Sequence, residues 1–244
     1  MEDIIREKYK IEYELRTNPD YTAFRAVNIV ERDKNTYLLN VYSNESVKKY
    51  VKIFHDLKNC PEFKETFVYK GKLAAVFEYK SGEDINAIFK RKAALEVDYR
   101  IKSVEQMLNI GLISESFPDD IKCRIINHEN FMVRRSSEEI TLNFIIDPEV
   151  YNKSYVDTLI SEIRKMLPMS FTEPIIEREF FLLLKRNPVK DAIELYARWK
   201  KIKAALVKEY NRQVSMPIIE RIFSIIFQNI KWIFTSRFIG RKKK

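Results

Sequence analysis

The pattern of apolar residues changes near Gly82 from alternation to helical periodicity, and this change limits the possible folds more than any other feature. Before it, residues 21–42 and residues 65–80 each alternate as a pair of short strands around a polar turn. Between the pairs, residues 44–57 have apolar side chains at helical spacing. We therefore expect the order strand, strand, helix, strand, strand over residues 1–80.

Glycine is rare, with only four residues, and Gly71, Gly82 and Gly111 mark predicted breaks or turns. Gly71 follows Lys70 between two alternating runs and predicts a tight hairpin. Gly111 follows the helical pattern of residues 97–110, which predicts that it ends that helix as a C-cap.

Beyond Gly82 the chain reads mainly as helices, with one further β region. Residues 85–94 and 97–110 have helical spacing, whereas residues 123–135 and 139–147 read as two strands around a serine turn. From residue 154 onward the pattern is helical. The sequence thus predicts an α+β fold, with a small antiparallel-sheet lobe followed by a mainly helical lobe.

The cysteines and histidines argue against a metal centre or a disulfide framework. Cys60 and Cys123 are far apart, and His55 and His128 do not complete a ligand spacing with them. The charged N-terminal segment lacks the apolar run of a secretion signal. We expect a cytoplasmic location.

Positive charge is concentrated at the C-terminal end. Residues 198–244 contain thirteen Lys or Arg residues against Glu209 and Glu220, a net charge of +11. The total is +9, so residues 1–197 carry −2. A basic end of this kind favours partners that present phosphate, either nucleic acid or anionic lipid.

Several short segments resemble the protein-kinase family. VFEYKSGEDI, residues 76–85, is similar to the fifth strand and hinge of kinases, and YLLNVY, residues 37–42, is similar to their third strand. NHENFMV, residues 127–133, resembles the end of the catalytic loop. FIIDPE, residues 144–149, resembles the DFG strand and, more closely, the IDWE strand of aminoglycoside and choline kinases.

The resemblance implies a two-lobed kinase-like fold, with a first lobe over residues 1–80 and a helical lobe over residues 81–215. Residues 216–244 would then form a basic amphipathic C-terminal helix and tail.

The residues that kinases use to grip ATP are replaced at the matching positions. The segment that should hold the glycine-rich loop, residues 14–23, contains no glycine. The strand lysine is matched by Asn40, and its helix glutamate partner by Tyr50. Counting back from Asn130, the acceptor-orienting aspartate becomes Ile125, which cannot accept a proton. The resemblance therefore implies a degraded kinase, a pseudokinase.

Two metal-binding positions of kinases are retained, and the hinge is recognisable. Asn130 and Asp147 match the magnesium ligands, although the interval between them is long and a shorter one would place Asn143 or Phe144 there. Phe77 would guard the back of the adenine pocket, and Glu78 and Tyr79 would line the hinge through their backbone. We expect no cofactor, or at most weak Mg-ATP binding.

The leading hypothesis is a catalytically inactive scaffold or signalling module that binds a protein partner. A first alternative is an atypical active kinase that uses Lys34, Lys48 or Lys49. A second is nucleic-acid binding through the basic C-terminal region, where Trp199 interrupts a run of cations.

The C-terminal segment predicts a helix that lies on the inner face of a membrane. Pro217 can begin it, and its longest uncharged stretch, residues 222–230, is too short to span a bilayer. The predicted membrane-facing residues are Ile222, Phe223, Ile226, Ile230, Trp232, Ile233, Arg241, Lys242, Lys243 and Lys244. The alternative is that this helix packs on the helical lobe as its last core element.

Overall fold

A computed structural model describes residues 4–30, 35–55, 57, 60–91, 97–134, 136–152, 154–167, 174–224, 226–228 and 230. The protein is α+β, as predicted. Contacts divide the described residues into two compact units, one within residues 1–88 and 113–158 and the other within residues 89–112 and 159–244. The predicted domain boundaries at residues 80 and 215 stay a prediction.

The first unit contains two antiparallel sheets. The larger sheet has the order β1-β2-β3-β4-β6-β5 and consists of β1 (Ile4–Ile5), β2 (Tyr9–Asn18), β3 (Tyr21–Asn28), β4 (Thr36–Tyr42), β5 (Phe63–Tyr69) and β6 (Lys72–Glu78). The smaller sheet has the order β7-β8-β9 and consists of β7 (Glu83–Asp84), β8 (Phe131–Arg134) and β9 (Glu139–Leu142).

The helices are α1 (Ser46–His55), α2 (Ile85–Arg91), α3 (Val97–Ser114), α4 (Asp119–Ile125), α5 (Tyr155–Met166), α6 (Ile175–Arg186) and α7 (Ala192–Ser215), with a short 3-10 turn at His128–Asn130. Residues 218–224, 226–228 and 230 are also helical. Within the described part of the chain, no helix combines the length and the apolar character that crossing a membrane requires.

The predicted order of strands and helix over residues 21–80 is confirmed. β3, β4, α1, β5 and β6 follow one another as expected. The hairpin at Lys70 and Gly71 is also confirmed, because Tyr69 pairs with Lys72 and leaves a two-residue loop. Lys70 and Gly71 have φ values of 50° and 77°, the combination that a type I′ turn requires.

Strands β1 and β2 and the turn between them were missed by the sequence pattern, and they allow the large sheet to curl. The carboxylate of Glu65 on β5 accepts hydrogen bonds from Arg6 and Lys8 at 2.8 Å and from the hydroxyl of Tyr9 at 2.6 Å. The ring of Tyr9 also stacks on Phe67 of β5, with centroids 6.2 Å apart. The turn after β1 and the start of β2 therefore contact β5, the strand at the opposite edge of the sheet, through their side chains.

Each face of the large sheet carries its own apolar cluster, as the period of two along a strand requires. One face contributes the buried residues Tyr9, Ala26, Tyr37, Leu39 and Val76. The other face packs against α1, where Tyr50 and Phe54 are each only 1% exposed. Successive aromatic rings, Tyr42, Tyr50, Phe54, Phe63 and Phe77, lie between 4.2 and 6.3 Å apart on that side. The predicted buried face of this helix is thus confirmed.

The strand predicted over residues 123–135 is correct only for its second part. Residues 119–125 form α4, which follows Pro118 and has Asp119 and Asp120 in its first turn, where carboxylates interact favourably with the helix dipole. Ile121 and Ile125 are fully buried and four residues apart, the spacing of one helix face. The sequence pattern was misread because a short apolar run of this length fits a helix and a strand equally well.

The prediction that Gly111 ends a helix is wrong. Helix α3 continues through this residue to Ser114. A Cβ at Gly111 would lie 2.7 Å from the Cδ1 of Leu159 and 3.1 Å from the Cβ of Ala192. Glycine is therefore used here so that two helices of the second unit can approach the backbone of α3.

Candidate functional site

The side chain of Asn40 on β4, the position that matches the kinase lysine, is completely buried and already bonded by the protein. Its Oδ1 accepts a hydrogen bond from the hydroxyl of Tyr21 at 2.5 Å and one from the backbone N–H of Ile146 at 3.0 Å. Its Nδ2 donates to the carbonyl of Phe144 at 2.9 Å. Because a carbonyl oxygen has two lone pairs, Oδ1 has no acceptor capacity left for a ligand.

Tyr42 makes a second connection between β4 and the segment that precedes Asp147. Its hydroxyl donates to the carbonyl of Ile146 at 2.8 Å. Burial raises the pKa of Tyr42 and of Tyr21 well above the usual value, and the negative charge of Asp147 adds to the increase for Tyr21. Both phenols therefore stay neutral hydrogen-bond donors at ordinary pH.

The carboxylate of Asp147, a predicted magnesium ligand, is held by groups of the same chain. Its Oδ1 accepts from the side-chain amide of Asn18 and from the backbone N–H of Glu149, both at 2.8 Å. Its Oδ2 lies 3.3 Å from the Nε of Arg16. The side chain of Asp147 is 3% exposed, so this buried charge is neutralised by a cation and solvated by two further donors.

Arg16 and Asn18 come from the segment that matches the kinase glycine-rich loop. In the structure this segment forms a tight hairpin, because β2 runs to Asn18 and pairs it with Tyr21 at the start of β3. Arg16 also forms an ion pair with Glu129 at 2.6 Å. We refer to Arg16, Asn18, Tyr21, Asn40, Tyr42 and Asp147 together as the polar cluster.

Sequence reasoning missed Arg16 and Asn18 as members of this cluster. The available signal was their spacing of two in a polar stretch, which places both on one face of a strand. This spacing is informative only if residues 9–18 form a strand, which the sequence pattern did not predict.

Arg124, next to Ile125, fixes the backbone around Asp147. Its Nη1 donates to the carbonyl oxygens of Asp147, Pro148 and Val150 at 2.9, 2.6 and 2.8 Å. The residue is 6% exposed. This contact was also missed by the sequence reasoning, and it holds the turn after Asp147 in place.

Ile125 and Asn130 are both buried, and the side chain of Asn130 contacts the backbone of Ile125. The Nδ2 of Asn130 donates to the carbonyls of Ile125 at 3.0 Å and Ile145 at 3.2 Å. These bonds are those of a residue that stabilises a turn. Among the described residues, no group of three or more His, Cys, Asp or Glu side chains is arranged to hold a metal ion.

The predicted hinge, residues 77–79, is also bonded within the chain. Phe77 is fully buried and stacks on Phe144 with centroids 5.1 Å apart. The N–H of Tyr79 donates to the carbonyl of Thr36 at 3.0 Å. Glu78 pairs with Lys80 at 2.5 Å, and this hydrogen bond lowers the pKa of Glu78 against the opposing effect of burial.

The side chain of Asn143 is bonded to the backbone of Lys80 in both directions. Its Oδ1 accepts from the N–H of Lys80 at 2.8 Å, and its Nδ2 donates to the carbonyl of Lys80 at 3.0 Å. A carboxamide presents one donor and one acceptor side by side, as the edge of an adenine ring does. Asn143, which the sequence suggested only as an alternative metal ligand, thus satisfies the backbone of the residue after the hinge.

Tyr50, which the resemblance assigned to the kinase helix glutamate, packs against aromatic residues, and the Nζ of Lys49 lies 5.8 Å from the centroid of its ring. Its ring stacks on Tyr42 at 4.2 Å, and burial raises its pKa to about 12. Its hydroxyl is buried without a hydrogen-bond partner in the described structure. Of the lysines proposed for an atypical kinase, Lys49 pairs with Asp120 at 3.0 Å and Lys48 is exposed, while Lys34 lies outside the described residues.

The tryptophan within the basic run of α7 is not on the protein surface. Trp199 is 1% exposed and packs edge-on against Phe180, with ring centroids 6.0 Å apart. Two of the neighbouring cations are paired, Lys203 with Glu105 at 2.5 Å and Arg212 with Glu209 at 2.6 Å. Trp199 is therefore part of the core of the second unit and is not placed to stack on a base.

The described residues of the C-terminal segment leave large apolar side chains in solvent. This C-terminal apolar group is at least 46% exposed at every position and consists of Ile218, Ile219, Ile222, Phe223, Ile226, Phe227 and Ile230. The predicted membrane-facing residues Ile222, Phe223, Ile226 and Ile230 are among them. Trp232, Ile233, Arg241, Lys242, Lys243 and Lys244 lie outside the described residues.

Comparison with known proteins adds no identification. No model of a known protein family matches the chain, and no curated protein is similar to it in sequence.

Proposed function

We propose that this chain is a kinase-like module that does not transfer phosphate and acts by binding another protein. The observation that carries the proposal is that the positions corresponding to the ATP-binding groups of kinases are bonded internally. Asn40 has no acceptor capacity left, Asp147 is neutralised by Arg16, and the backbone of Lys80 is paired with Asn143. A nucleotide would have to displace these bonds before it gained any of its own.

The proposal is tested by measuring Mg-ATP binding and phosphate transfer with the full chain. We expect no shift of the thermal midpoint at millimolar Mg-ATP and no ATP-dependent labelling of the protein or of generic substrates. Asp147→Ala is compared with Asp98→Ala, which changes an exposed aspartate on α3. Labelling that is lost in Asp147→Ala and retained in Asp98→Ala would contradict the proposal and favour the atypical active kinase.

Partner binding is tested separately from catalysis. The full chain is immobilised and exposed to native cytosol and to solubilised membranes, and retained proteins are identified and quantified. We expect one protein to be retained in a defined molar ratio to the immobilised chain. After purification, that protein should bind to the chain again. If no protein rebinds in purified form, the partner part of the proposal is wrong.

We further propose that the C-terminal segment attaches the protein to the surface of an anionic membrane. The specific observation is the C-terminal apolar group, whose seven side chains are all largely exposed. The apolar residues follow each other at spacings of one, three and four, so a helix can direct them to one side. The net charge of +11 over residues 198–244 adds attraction to anionic lipid.

Co-sedimentation with vesicles tests this attachment. Full-length protein should bind phosphatidylserine-containing vesicles at low salt and bind neutral vesicles more weakly. The double variant Phe223→Ser/Phe227→Ser should lose at least tenfold in binding, because each phenylalanine contributes about 2 kcal/mol when buried. The control is Ile193→Ser/Val214→Ser, which changes two exposed apolar residues of α7. Equal loss in both variants would contradict a specific role of the C-terminal segment.

A further inference from the structure

A cavity that is half open to solvent lies on the face of the large sheet opposite α1, separate from the polar cluster. The cavity has a volume of about 220 Å³. Its apolar lining includes one residue from each of five strands: Ile5, Ile11, Phe24, Val41 and Ala74. Ile5, Phe24 and Val41 pack against the apolar cluster of that face, so the cavity continues the core of the sheet outward.

Two lysines lie at one end of this cavity. Lys70 and Lys72 flank the type I′ turn between β5 and β6 and contribute to the lining. The Nζ of Lys70 lies 5.1 Å from the centroid of the Tyr69 ring, and neither lysine pairs with a carboxylate in the described structure. The carboxylate nearest in the β5 sequence on this face, Glu65, is already bonded to Arg6, Lys8 and Tyr9. Lys70 and Lys72 are therefore the charged residues among the described lining.

The backbone of the surrounding strands offers few groups for a polar ligand. The residues of β3, β4 and β6 that line the cavity are in central strands, whose N–H and C=O groups are paired with their neighbours. A ligand must therefore gain affinity from apolar contact inside and from charge at the rim. Sugars and nucleotides, which need many hydrogen bonds along their length, do not match this lining.

We propose that this cavity binds a medium-chain fatty carboxylate, with the acyl chain inside and the carboxylate at Lys70 and Lys72. A dry apolar cavity of about 150 Å³ accommodates the six carbons of benzene, so 220 Å³ has room for roughly eight carbons. An acyl chain of this length fills the lining without a polar atom, and the two lysines neutralise the carboxylate. The inference does not depend on the proposed absence of catalysis or on the C-terminal segment.

Calorimetric titration of the full-length protein tests this proposal. Affinity should rise about fourfold per methylene from hexanoate to octanoate, because each added CH₂ is buried, and should level off once the cavity is filled. Octanol, which lacks the charge, should bind at least fivefold more weakly than octanoate. Absence of saturable octanoate binding, or an increase that continues unchanged to dodecanoate, would overturn the proposal.

Two sets of variants separate this site from other surfaces. Lys70→Gln/Lys72→Gln should weaken octanoate binding about tenfold, whereas Lys48→Gln/Lys52→Gln, two exposed lysines of α1, should leave it unchanged. Phe223→Ser/Phe227→Ser should also leave it unchanged. Equal weakening by both lysine pairs, or loss of binding in the phenylalanine variant, would overturn the proposal in favour of non-specific charge or of the C-terminal apolar group.

Discussion

The polar cluster and the C-terminal apolar group differ in how far their side chains find partners within the chain. In the cluster, buried polar groups have partners within the protein, as Asn40 and Asp147 illustrate. In the C-terminal group, large apolar side chains such as Phe223 and Phe227 are 68% and 71% exposed. The first region is stabilised internally, whereas the second leaves surface that gains free energy when something else covers it.

This contrast separates a region whose polar groups are satisfied within the chain from a region that offers binding energy. Perturbed pKa values are common in catalytic sites, but structural clusters also show them. In the polar cluster, Tyr21 and Tyr42 owe their raised pKa values chiefly to burial, and both hydroxyls are hydrogen-bonded within the chain. We therefore expect substitutions in the cluster to change stability and substitutions in the C-terminal group to change association.

The largest expected effect is that of Asn40→Leu. This change removes three hydrogen bonds and leaves the hydroxyl of Tyr21 and the N–H of Ile146 without their acceptor. Each unsatisfied buried group costs about 1–3 kcal/mol, so the free energy of unfolding should fall by about 4 kcal/mol. Urea denaturation measures the change. Asn109→Leu, at an exposed asparagine of α3, should change it by less than about 0.5 kcal/mol.

Alkaline pH should weaken the cluster next most strongly. The pKa values of Tyr21 and Tyr42 are raised above 10 in the folded state, so their contribution is complete below pH 10 and is lost as pH rises beyond it. Each such tyrosine lowers the free energy of unfolding by up to about 1.4 kcal/mol per pH unit. Urea denaturation between pH 8 and pH 11 measures this dependence. Tyr42→Phe should show a smaller slope, and an identical slope would contradict the assignment.

A smaller change in stability should distinguish Tyr42 from Tyr50. Their rings stack, but in the described structure only the hydroxyl of Tyr42 has a hydrogen-bond partner. Tyr42→Phe removes the donor to the carbonyl of Ile146 and should lower the free energy of unfolding by about 1 kcal/mol. Tyr50→Phe removes a buried hydroxyl without a partner and should leave stability unchanged or raise it slightly. Thermal denaturation of both variants under the same conditions provides the comparison. Equal destabilisation would mean that the hydroxyl of Tyr50 is bonded in solution.

The smallest expected effect is that of Phe223→Ser/Phe227→Ser on stability. Because both rings are exposed, the free energy of unfolding should change by less than about 0.5 kcal/mol. Phe180→Ser, at a phenylalanine that is 3% exposed in the same unit, should lower it by at least about 3 kcal/mol. Similar losses in the two variants would show that the C-terminal group packs on the protein, as the alternative sequence interpretation holds.

The sequence predicted the strand and helix order well where one face of an element is buried. α1 was identified from Tyr50 and Phe54, and the hairpin at Gly71 was identified from a residue that tolerates positive φ. Both signals are local. The sequence failed where the cause lies elsewhere in the chain, as at Gly111, whose role depends on Leu159 and Ala192.

The sequence predicted the positions of Asn40 and Asp147 in the candidate site but not the groups that they contact. Asn40 and Asp147 were identified through resemblance, yet apart from Glu149 the residues described above as bonding to their side chains lie 19 to 131 positions away along the chain. No periodicity links Asn18 to Asp147 or Asn143 to Lys80. Such pairings follow from tertiary packing, which a single sequence does not encode in any short window.

The ion pairs of Glu65 have a further consequence for the behaviour of the protein at high concentration. Strands β1 and β5 are the edges of the large sheet, and an unpaired edge is a template on which another chain can add a strand. Arg6 and Lys8 place two cations at the β5 edge through Glu65, so an incoming strand would have to separate these charges. The contacts that curl the sheet thereby also protect the protein against edge-to-edge aggregation.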